Sequence, residues 1–295
     1  MVSKTQERLR TMSRIIAVAN QKGGVGKTTT TINLGASLAA AGERTLVVDL
    51  DPQGNATSGL GFEAEVVQPS VYDALVGSCR FEEVVHKGAH FSMLDVIPST
   101  PDLVGAEIEL VGLLSRETVL KRGLSALAGS YRYVLVDCPP SLGLLTLNAL
   151  VAAQSILIPI QCEFYALGGL SQLLDTVKRV QQSLNSGLKI EGVLLTMLDG
   201  RLNLAKQVEE EARKYFEATV YRTHIPRNVR LAEAPSFGKP ILCYDEFSQG
   251  AQSYVALAEE VMGASPCGTG QIHDGDKTRE AMAWKNCRLK AKGTD

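Results

Sequence analysis

The sequence predicts an α/β fold in which a mostly parallel, doubly wound sheet carries helices on both faces. Two observations predict this fold class. Short, nearly continuous apolar runs recur along the chain, as expected for strands that are buried on both faces of a sheet. Segments with apolar residues at helical spacing separate these runs, and such alternation is typical of parallel pairing.

Five apolar runs are predicted to be strands, at residues 15–20, 45–50, 133–136, 155–160 and 192–197. A first helix is predicted over 28–41, after a Gly-rich turn, and Gly42 supplies its C-terminal stop. Further helical patterns cover residues 167–184 and 204–216.

The composition is typical of a soluble globular protein, since 45% of the 295 residues are hydrophobic and 21% are charged. No run of about 18 apolar residues is present to span a membrane, and the N-terminus lacks the apolar segment of a secretory signal. The six cysteines show no metal-binding or redox spacing, and Cys138 and Cys162 lie in apolar runs, which indicates buried thiols. We therefore expect a cytoplasmic protein.

Charge and composition divide the chain into three segments. Residues 1–13 are predicted to be a flexible basic tail and residues 14–263 a single domain. Residues 264–295 are predicted to be a disordered tail, because they are rich in small and polar residues and lack periodicity. The central segment has more acidic than basic side chains, so any site for a polyanion there must be a local basic patch. The role of both tails stays open.

A glycine-rich segment, KGGVGKTT at residues 22–29, lies between the first predicted strand and the first predicted helix. Glycines allow the backbone to curl until successive N–H groups point at one anion, and the helix start adds its positive end. Lys27 is predicted to reach the β- and γ-phosphates, and the Thr28 hydroxyl to bind magnesium. The sequence therefore predicts a P-loop NTPase fold that binds ATP and Mg²⁺. A glycine-rich turn without a ligand is the alternative.

The residues of this loop that are predicted to contact the nucleotide are Lys22, Gly23, Gly24, Val25, Gly26, Lys27, Thr28 and Thr29.

The loop departs from the usual phosphate-loop pattern at its start. Gln21 stands where that pattern has glycine, and Lys22 adds a second cation. An extra cation there is favourable only where more negative charge is close by. We therefore expect Lys22 to act on the phosphates bound by another subunit, as a finger supplied in trans.

Five segments together resemble the ParA/MinD class of P-loop ATPases, and in detail its ParA/Soj chromosome-partitioning branch. Residues 22–28 (KGGVGKT) resemble the deviant Walker A motif of the class. Residues 49–55 (DLDPQGN) resemble the Walker A′ segment of the branch, and residues 134–141 (VLVDCPPS) its Walker B segment. Residues 195–199 (LTMLD) and 225–236 (IPRNVRLAEAPS) are also similar to it. The resemblance covers about residues 14–262 and leaves both tails out.

Two carboxylates follow predicted buried strands. Asp137 comes after four apolar strand residues, an arrangement in which a carboxylate binds magnesium directly or through water. Asp51 ends another apolar run, where the resemblance implies that it positions or activates the attacking water, ahead of a switch loop. Taken alone, each aspartate is also compatible with a simple turn.

The resemblance implies that Pro226 and Asn228 contact the adenine base. An asparagine amide both donates and accepts hydrogen bonds, as an adenine edge requires. These residues follow a strand-like run at 219–225, and without the resemblance the segment is merely a turn.

Basic residues are frequent in the C-terminal half, and several cations on one face would bind a DNA backbone without reading its bases. Most charges on helices are simply solvated. The resemblance implies nonspecific contact with double-stranded DNA, and it singles out Arg201 and Arg230. The basic residues concerned are Arg201, Lys206, Arg213, Lys214, Arg222, Arg227, Arg230 and Lys239.

The function implied by the resemblance is that of a DNA-partitioning ATPase for a chromosome or a plasmid. ATP would drive a sandwich homodimer that binds DNA on the nucleoid, and a ParB-type centromere-binding protein would stimulate hydrolysis. The sequence does not identify the cargo or the partner.

Three other classes remain as alternatives. A MinD-like positioning ATPase for a membrane or a protein cargo would use a C-terminal amphipathic helix, and the apolar cluster at 281–284 is a weak candidate for one. A protein like the nitrogenase iron protein would need paired cysteines, and Cys138 has no obvious mate. A cofactor-biosynthesis ATPase would need a second substrate site.

Overall fold

The computed structural model of the chain describes residues 13–127, 129–162 and 170–263, and it confirms the predicted fold class. Six strands pair in parallel within these residues, in the order β3-β2-β4-β1-β5-β6. The strands are β1 Arg14–Val18, β2 Thr45–Asp49, β3 Leu94–Ile97, β4 Tyr133–Asp137, β5 Ser155–Gln161 and β6 Lys189–Thr196.

Helices connect the strands, joined in places by short 3₁₀ turns. The first six are α1 Lys27–Ala40, α2 Asn55–Gly59, α3 Val71–Leu75, α4 Leu103–Glu109, α5 Val119–Ala126 and α6 Leu144–Ala152. The remaining five in the described residues are α7 Leu170–Ser183, α8 Asn203–Phe216, α9 Val229–Glu233, α10 Ile241–Tyr244 and α11 Gln249–Gly263.

The strands are mainly apolar because most of their residues are buried on both faces of the sheet. Along β1, Ile16 and Val18 pack in one apolar cluster and Ala17 in another, as the period of two requires. Helices α1 and α11 cover the first face, whereas α4 to α8 cover the second. The sheet is therefore the centre of the core.

All six strands run in the same direction, so their carboxyl ends share one edge of the sheet. The loop after β1, the segment after β2 and the end of β4 meet there, and β1 lies between β4 and β5. Such an edge, where the strand order reverses, is where open α/β sheets form their ligand crevice.

Several sequence predictions are corrected by the structure. Strand β3 was not predicted, because its apolar run is only four residues long and contains Asp95. The strand-like run at 219–225 is not a strand: only isolated bridges form nearby, from Val220 to Val193 and from Pro226 to Leu198. The helix predicted over 167–184 is described from Leu170 onward.

The predictions for residues 1–12 and 264–295 lie outside the described residues. The buried state predicted for the thiols of Cys138 and Cys162 is confirmed. In the part of the chain that is described, no helix is both long and apolar enough to cross a membrane.

Candidate nucleotide-binding site

The glycine-rich loop adopts a backbone conformation that is unfavourable for every residue except glycine. Gly24 has φ of 72° and Gly26 has φ of 87°, both in the left-handed region. Gly26 directly precedes α1, and a Cβ added there would lie 3.7 Å from the Thr196 side chain. The backbone thus curls over the start of the helix, as an anion cradle requires.

Two neighbouring strands fix the position of this loop. Asn20 donates from Nδ2 to the carbonyl of Pro159 on β5 at 2.7 Å, and its Oδ1 accepts the Lys22 backbone N–H at 3.0 Å. Further along the loop, the Thr196 hydroxyl at the end of β6 donates to the Val25 carbonyl at 2.8 Å. The cradle is therefore held in shape by the sheet before any ligand arrives.

The two lysines of the loop contact each other. Lys27 is buried, and its Nζ donates to the backbone carbonyl of Lys22 at 3.4 Å. Burial lowers the pKa of the Lys27 ammonium, and the negative charges of Asp137 and Asp51 oppose that effect. Lys22 is half-buried at the loop entrance. An anion in the cradle would find the Lys27 ammonium already in place.

Asp137, at the end of β4, is fully buried against the first turn of α1. Its two carboxylate oxygens accept the hydroxyls of Thr28 at 2.8 Å and Thr31 at 3.0 Å. Burial raises the pKa of the Asp137 carboxyl, and the nearby charge of Asp49 raises it further. A hard cation such as Mg²⁺ prefers oxygen ligands of this kind, and it would offset the surplus of acidic groups. Thr28 and Asp137 therefore fit a magnesium site.

A second buried carboxylate, Asp49, organises the segment that contains Asp51. Asp49 accepts hydrogen bonds from the Asp51 N–H at 3.1 Å, the Thr57 N–H at 2.8 Å and the Thr57 hydroxyl at 2.7 Å. The Thr57 oxygen in turn accepts the Ser99 N–H at 2.9 Å. Because burial raises the pKa of Asp49, these three donors are what stabilise its charge.

Asp51 lies at the carboxyl edge of the sheet, as predicted, and is largely buried. Its Oδ1 accepts the Gln53 N–H at 3.0 Å, which is the local turn that the Asp-Pro pair also suggested. Asp51 can therefore both stabilise a local turn and belong to the site. Its carboxylate is held by the backbone of the turn, and its negative charge raises the pKa of Lys27 against the effect of burial.

A cavity of about 280 Å³ adjoins the loop and contains the two residues predicted to contact a base. Pro226 and Asn228 both line it, together with Gly26 and Thr29 from the phosphate loop and the start of α1. Asn228 also begins α9, since its Oδ1 accepts the Arg230 N–H at 2.8 Å. The cavity lining consists of Gly26, Thr29, Thr196, Met197, Ile225, Pro226, Arg227, Asn228, Leu231, Ala232 and Tyr254.

The two arginines predicted to bind DNA stand on the surface and form ion pairs within the chain. Arg201 is bidentate to Asp199 at 2.7 and 2.8 Å, and hydrogen bonds from Arg201 lower the pKa of Asp199 to about 2. Arg230 pairs with Glu233 at 3.0 Å and Asp245 at 3.6 Å. Among the described residues, neither arginine forms a hydrogen bond or an ion pair with the phosphate loop, so any role in DNA binding is separate from the nucleotide site.

Sequence reasoning missed four contributors to the site. Thr31 is one helical turn beyond Thr28, so the run of four threonines at 28–31 contains a usable signal. Asp49 belongs to the segment 49–55 that resembles the Walker A′ motif, but the sequence predicted no role for it. Thr196 and Tyr254 come from distant elements and carry no local pattern that marks them as cavity residues.

Comparison with known proteins places the chain among nucleotide-binding ATPases. A family model described as an AAA domain matches residues 13–190. The chain is 61% identical to the sporulation initiation inhibitor protein Soj of Bacillus subtilis over 250 residues, covering 85% of this chain and 98% of that protein. It is 57% identical to the chromosome partitioning protein ParA of Myxococcus xanthus over 252 residues, covering 85% and 89%.

Solved structures share the fold. Cobyrinic acid a,c-diamide synthase of Mycobacterium smegmatis, with bound ATP analog and magnesium, has a TM-score of 0.75 and 38% identity, with 85% of this chain and 94% of that chain covered. The septum site-determining protein MinD of Pyrococcus horikoshii, complexed with Mg-ADP, has a TM-score of 0.69 and 27% identity, with 85% and 96% covered.

Proposed function

The chain belongs to the ParA/Soj family of chromosome-partitioning P-loop ATPases, and on that premise we propose that it binds and hydrolyses ATP with Mg²⁺ as a dimerising switch for DNA partitioning. The observation that carries this proposal is the meeting of Lys27, Thr28, Asp51 and Asp137 at one edge of the sheet. The 61% identity to Soj favours partitioning over the chemistry of the synthase, to which identity is 38%.

Each residue has a role that its position supports. The N–H groups of residues 23–28 and the Lys27 ammonium bind the phosphates, with Lys27 exchanging the Lys22 carbonyl for phosphate oxygen. Thr28 and Asp137 hold magnesium, which neutralises phosphate charge when bound. Asp51 orients the attacking water and accepts its proton. Pro226 and Asn228 contact the adenine in the adjoining cavity.

The second lysine of the loop acts between subunits. Lys22 of each copy reaches the phosphates held by the other, so that two nucleotides lie between two chains. The dimer doubles the basic surface that contains Arg201 and Arg230, which makes nonspecific DNA binding depend on ATP. A ParB-type partner stimulates hydrolysis, and the dimer then separates and leaves the nucleoid.

The test is binding to sequence-unrelated double-stranded DNA with ATP, with ADP and without nucleotide, each at two salt concentrations. We expect salt-sensitive binding with ATP only. In the Lys22→Ala variant we expect ATP still to bind, since Lys27 and the loop backbone remain, but dimer formation and DNA binding to be lost. Lys87→Ala, a change at a surface lysine outside the motifs, serves as the control.

Two results would contradict this proposal. Absence of DNA binding by the wild-type protein with every nucleotide would favour a MinD-like positioning ATPase for a membrane or a protein cargo. DNA binding that Lys22→Ala leaves intact would remove the role in trans while leaving the ATP site in place.

A further inference from the structure

A single histidine side chain holds together two segments that are distant in the sequence. His90 Nε2 lies 2.7 Å from the Gly238 carbonyl oxygen and 3.1 Å from the Leu60 carbonyl oxygen. Because a carbonyl oxygen only accepts hydrogen bonds, Nε2 carries the proton, and its N–H is shared between the two oxygens. The imidazole ring therefore joins the chain near Leu60 to the chain near Gly238.

The two segments also meet through their backbones. Gly61 has φ of 87° and Gly238 has φ of 61°, so both adopt the left-handed conformation. A Cβ added at Gly238 would lie 2.8 Å from the Gly61 Cα, which is closer than Cβ atoms come in proteins. Nearby, a Cβ added at Gly59 would lie 3.8 Å from the Cβ of Pro235. The contact is thus a close fit of two turns, beside which the His90 ring lies.

The backbone around His90 fixes the direction of its ring. The φ of His90 is 62°, in the left-handed region that a residue with a side chain adopts at a cost. The neighbouring Ala89 is buried, and its N–H donates at 2.8 Å to the carbonyl of Leu94, where β3 begins. The Phe91 N–H in turn donates to the Ala89 carbonyl at 2.8 Å. The imidazole is therefore held by a turn that is bonded to the sheet.

The first of the two segments begins at the nucleotide site. We name residues 51–61 the Asp51 segment, which runs through α2. The Thr57 N–H and hydroxyl both donate to the buried Asp49 carboxylate, and the Leu60 N–H donates to the Thr57 carbonyl at 3.1 Å. These bonds make the Asp51 segment one compact unit, so a shift of Asp51 is carried to Leu60.

The second segment begins at the cavity and carries Arg230. We name residues 226–239 the Arg230 segment, which runs from Pro226 through α9 to the turn at Gly238. In that turn the Gly238 N–H donates to the Pro235 carbonyl at 2.9 Å. Because the turn directly follows α9, its position sets the position of the helix and of Arg230.

We propose that His90 is a positioning residue that ties the Arg230 segment to the Asp51 segment, so that the two move together when a γ-phosphate binds, an inference that rests on the proposed function. ATP and ADP have the same base, so contacts of the base with Pro226 and Asn228 cannot distinguish the two nucleotides. Only the γ-phosphate distinguishes them, and under the proposed function it lies beside Asp51. The His90 bridge supplies a route from Asp51 to Arg230 that does not pass through the base.

A purely structural role for His90 is the alternative, and it has a different signature. A residue that only stabilises the fold contributes equally whichever nucleotide is bound. A residue that couples two segments changes the difference between the ATP and ADP states, because a ligand shifts an equilibrium only by its differential affinity for the two arrangements. The difference between nucleotides is therefore the quantity to measure.

Hydrogen exchange of the Arg230 segment, with a non-hydrolysable ATP analogue and with ADP, measures this difference. His90→Leu removes the donor, and since the side chain is exposed, the core stays intact. His90→Gln keeps an N–H donor at a similar reach. Gly238→Ala separates the two backbones without changing His90. His224→Leu, the same change at another exposed histidine, is the matched control. Circular dichroism and the melting temperature check the fold of each variant, and sedimentation checks its dimer.

In the wild type we expect slower exchange of the Arg230 segment with the ATP analogue than with ADP. In His90→Leu and Gly238→Ala the ratio of the two exchange rates falls by about two- to tenfold, the range for loss of one hydrogen bond, while the affinity for ADP stays as in the wild type. His90→Gln restores the ratio, and His224→Leu retains it. DNA binding with ATP weakens in parallel with the ratio.

Three results would overturn the bridge alone and leave the proposed function in place, provided that the wild type binds DNA with ATP only. These are an unchanged ratio in His90→Leu and Gly238→Ala, an equal loss in His224→Leu, and no difference between the nucleotides in the wild type. A wild type that shows the difference, loses it in His90→Leu and yet binds no DNA would support the bridge and contradict the DNA-binding part of the proposed function.

Discussion

The side chain of Asn228 caps helix α9, and the same residue lines the cavity beside the phosphate loop. The cap is its Oδ1, which accepts the Arg230 N–H. Within the described chain its Nδ2 group makes no hydrogen bond, so that this amide can donate to a base. The cap and the base contact use different atoms and are separable by mutation.

We therefore predict different outcomes for two substitutions at this position. Asn228→Asp keeps the capping oxygen and removes the amide donor, whereas Asn228→Ala removes both. Loss of the cap costs about 1 kcal/mol in the free energy of unfolding, so only the alanine variant is destabilised in urea. Both variants weaken ATP binding by about three- to tenfold, the worth of one hydrogen bond. Tight ATP binding by Asn228→Asp would show that the amide donor does not contact the base.

The proposed phosphate-binding residues could be identified from the sequence because they stand next to one another in it. Lys27 and Thr28 lie in one short loop, and Asp137 is marked by the strand before it. The carboxylate–hydroxyl pairs were not predictable in the same way. Thr31 meets Asp137 across 106 positions, and Thr57 meets Asp49 across eight. Such contacts depend on how the strands are ordered in the sheet, which the local sequence does not encode.

At the scale of elements, the phosphate loop is a connection in a left-handed conformation that glycine adopts without strain, and its neighbours hold it in place. Gly26 has φ of 87° and lies against Thr196, whereas Gly23 has no atom within 4 Å of an added Cβ and an ordinary φ. An added methyl group should therefore lower the free energy of unfolding at Gly26 and have little effect at Gly23.

We predict that Gly26→Ala lowers the free energy of unfolding by about 1–2 kcal/mol, the cost of a left-handed conformation for an L-residue, and abolishes ATP binding. Gly23→Ala leaves stability unchanged within about 0.5 kcal/mol. Chemical denaturation of both variants without nucleotide makes the comparison. Equal stability losses in the two variants would contradict the expectation that the left-handed φ at Gly26 sets the cost of the added methyl group.

Long, uniformly apolar strands were the elements that sequence alone could predict. Strands β1, β2, β4 and β5 are buried over most of their length and β6 over its last five residues, so that each presents a continuous apolar stretch with its polar residues mostly at the ends. Strand β3 is short and includes Asp95, which is buried because Tyr131 donates to it at 2.7 Å. The run at 219–225 has β-forming residues but pairs with β6 only at isolated positions, since strand identity depends on a partner as well as on propensity.

At the scale of the whole molecule, the two arginines predicted to bind DNA are neutralised within the chain. Arg230 contacts Glu233 and Asp245, so a DNA phosphate must compete with these carboxylates. Exposed ion pairs contribute little free energy, so a DNA backbone with its dense row of phosphates can displace these carboxylates from Arg230.

We predict that Arg230→Ala reduces the slope of DNA affinity against salt concentration by about one unit. Arg222→Ala is the matched control, because Arg222 also forms a surface ion pair, with Glu260, and the neighbouring Val261 carbonyl accepts from Arg14 at the start of β1, away from the carboxyl edge. Measurement of ATP-dependent DNA binding over a range of salt gives both slopes. An equal change for both arginines would mean that the effect comes from net charge rather than from a site.

The Thr57 hydroxyl links two segments of the chain in addition to stabilising the turn after β2. It donates to Asp49 and accepts from Ser99, so that the segment carrying Asp51 and the chain entering α4 share one hydrogen-bonded group. A shift of one segment must carry the other along or break a buried bond. If phosphate occupancy favours one arrangement of this group, binding at one end is thermodynamically linked to binding at the other. Reciprocity then requires that a molecule bound at the α4 end raise the affinity for ATP by the same factor by which ATP raises the affinity for that molecule.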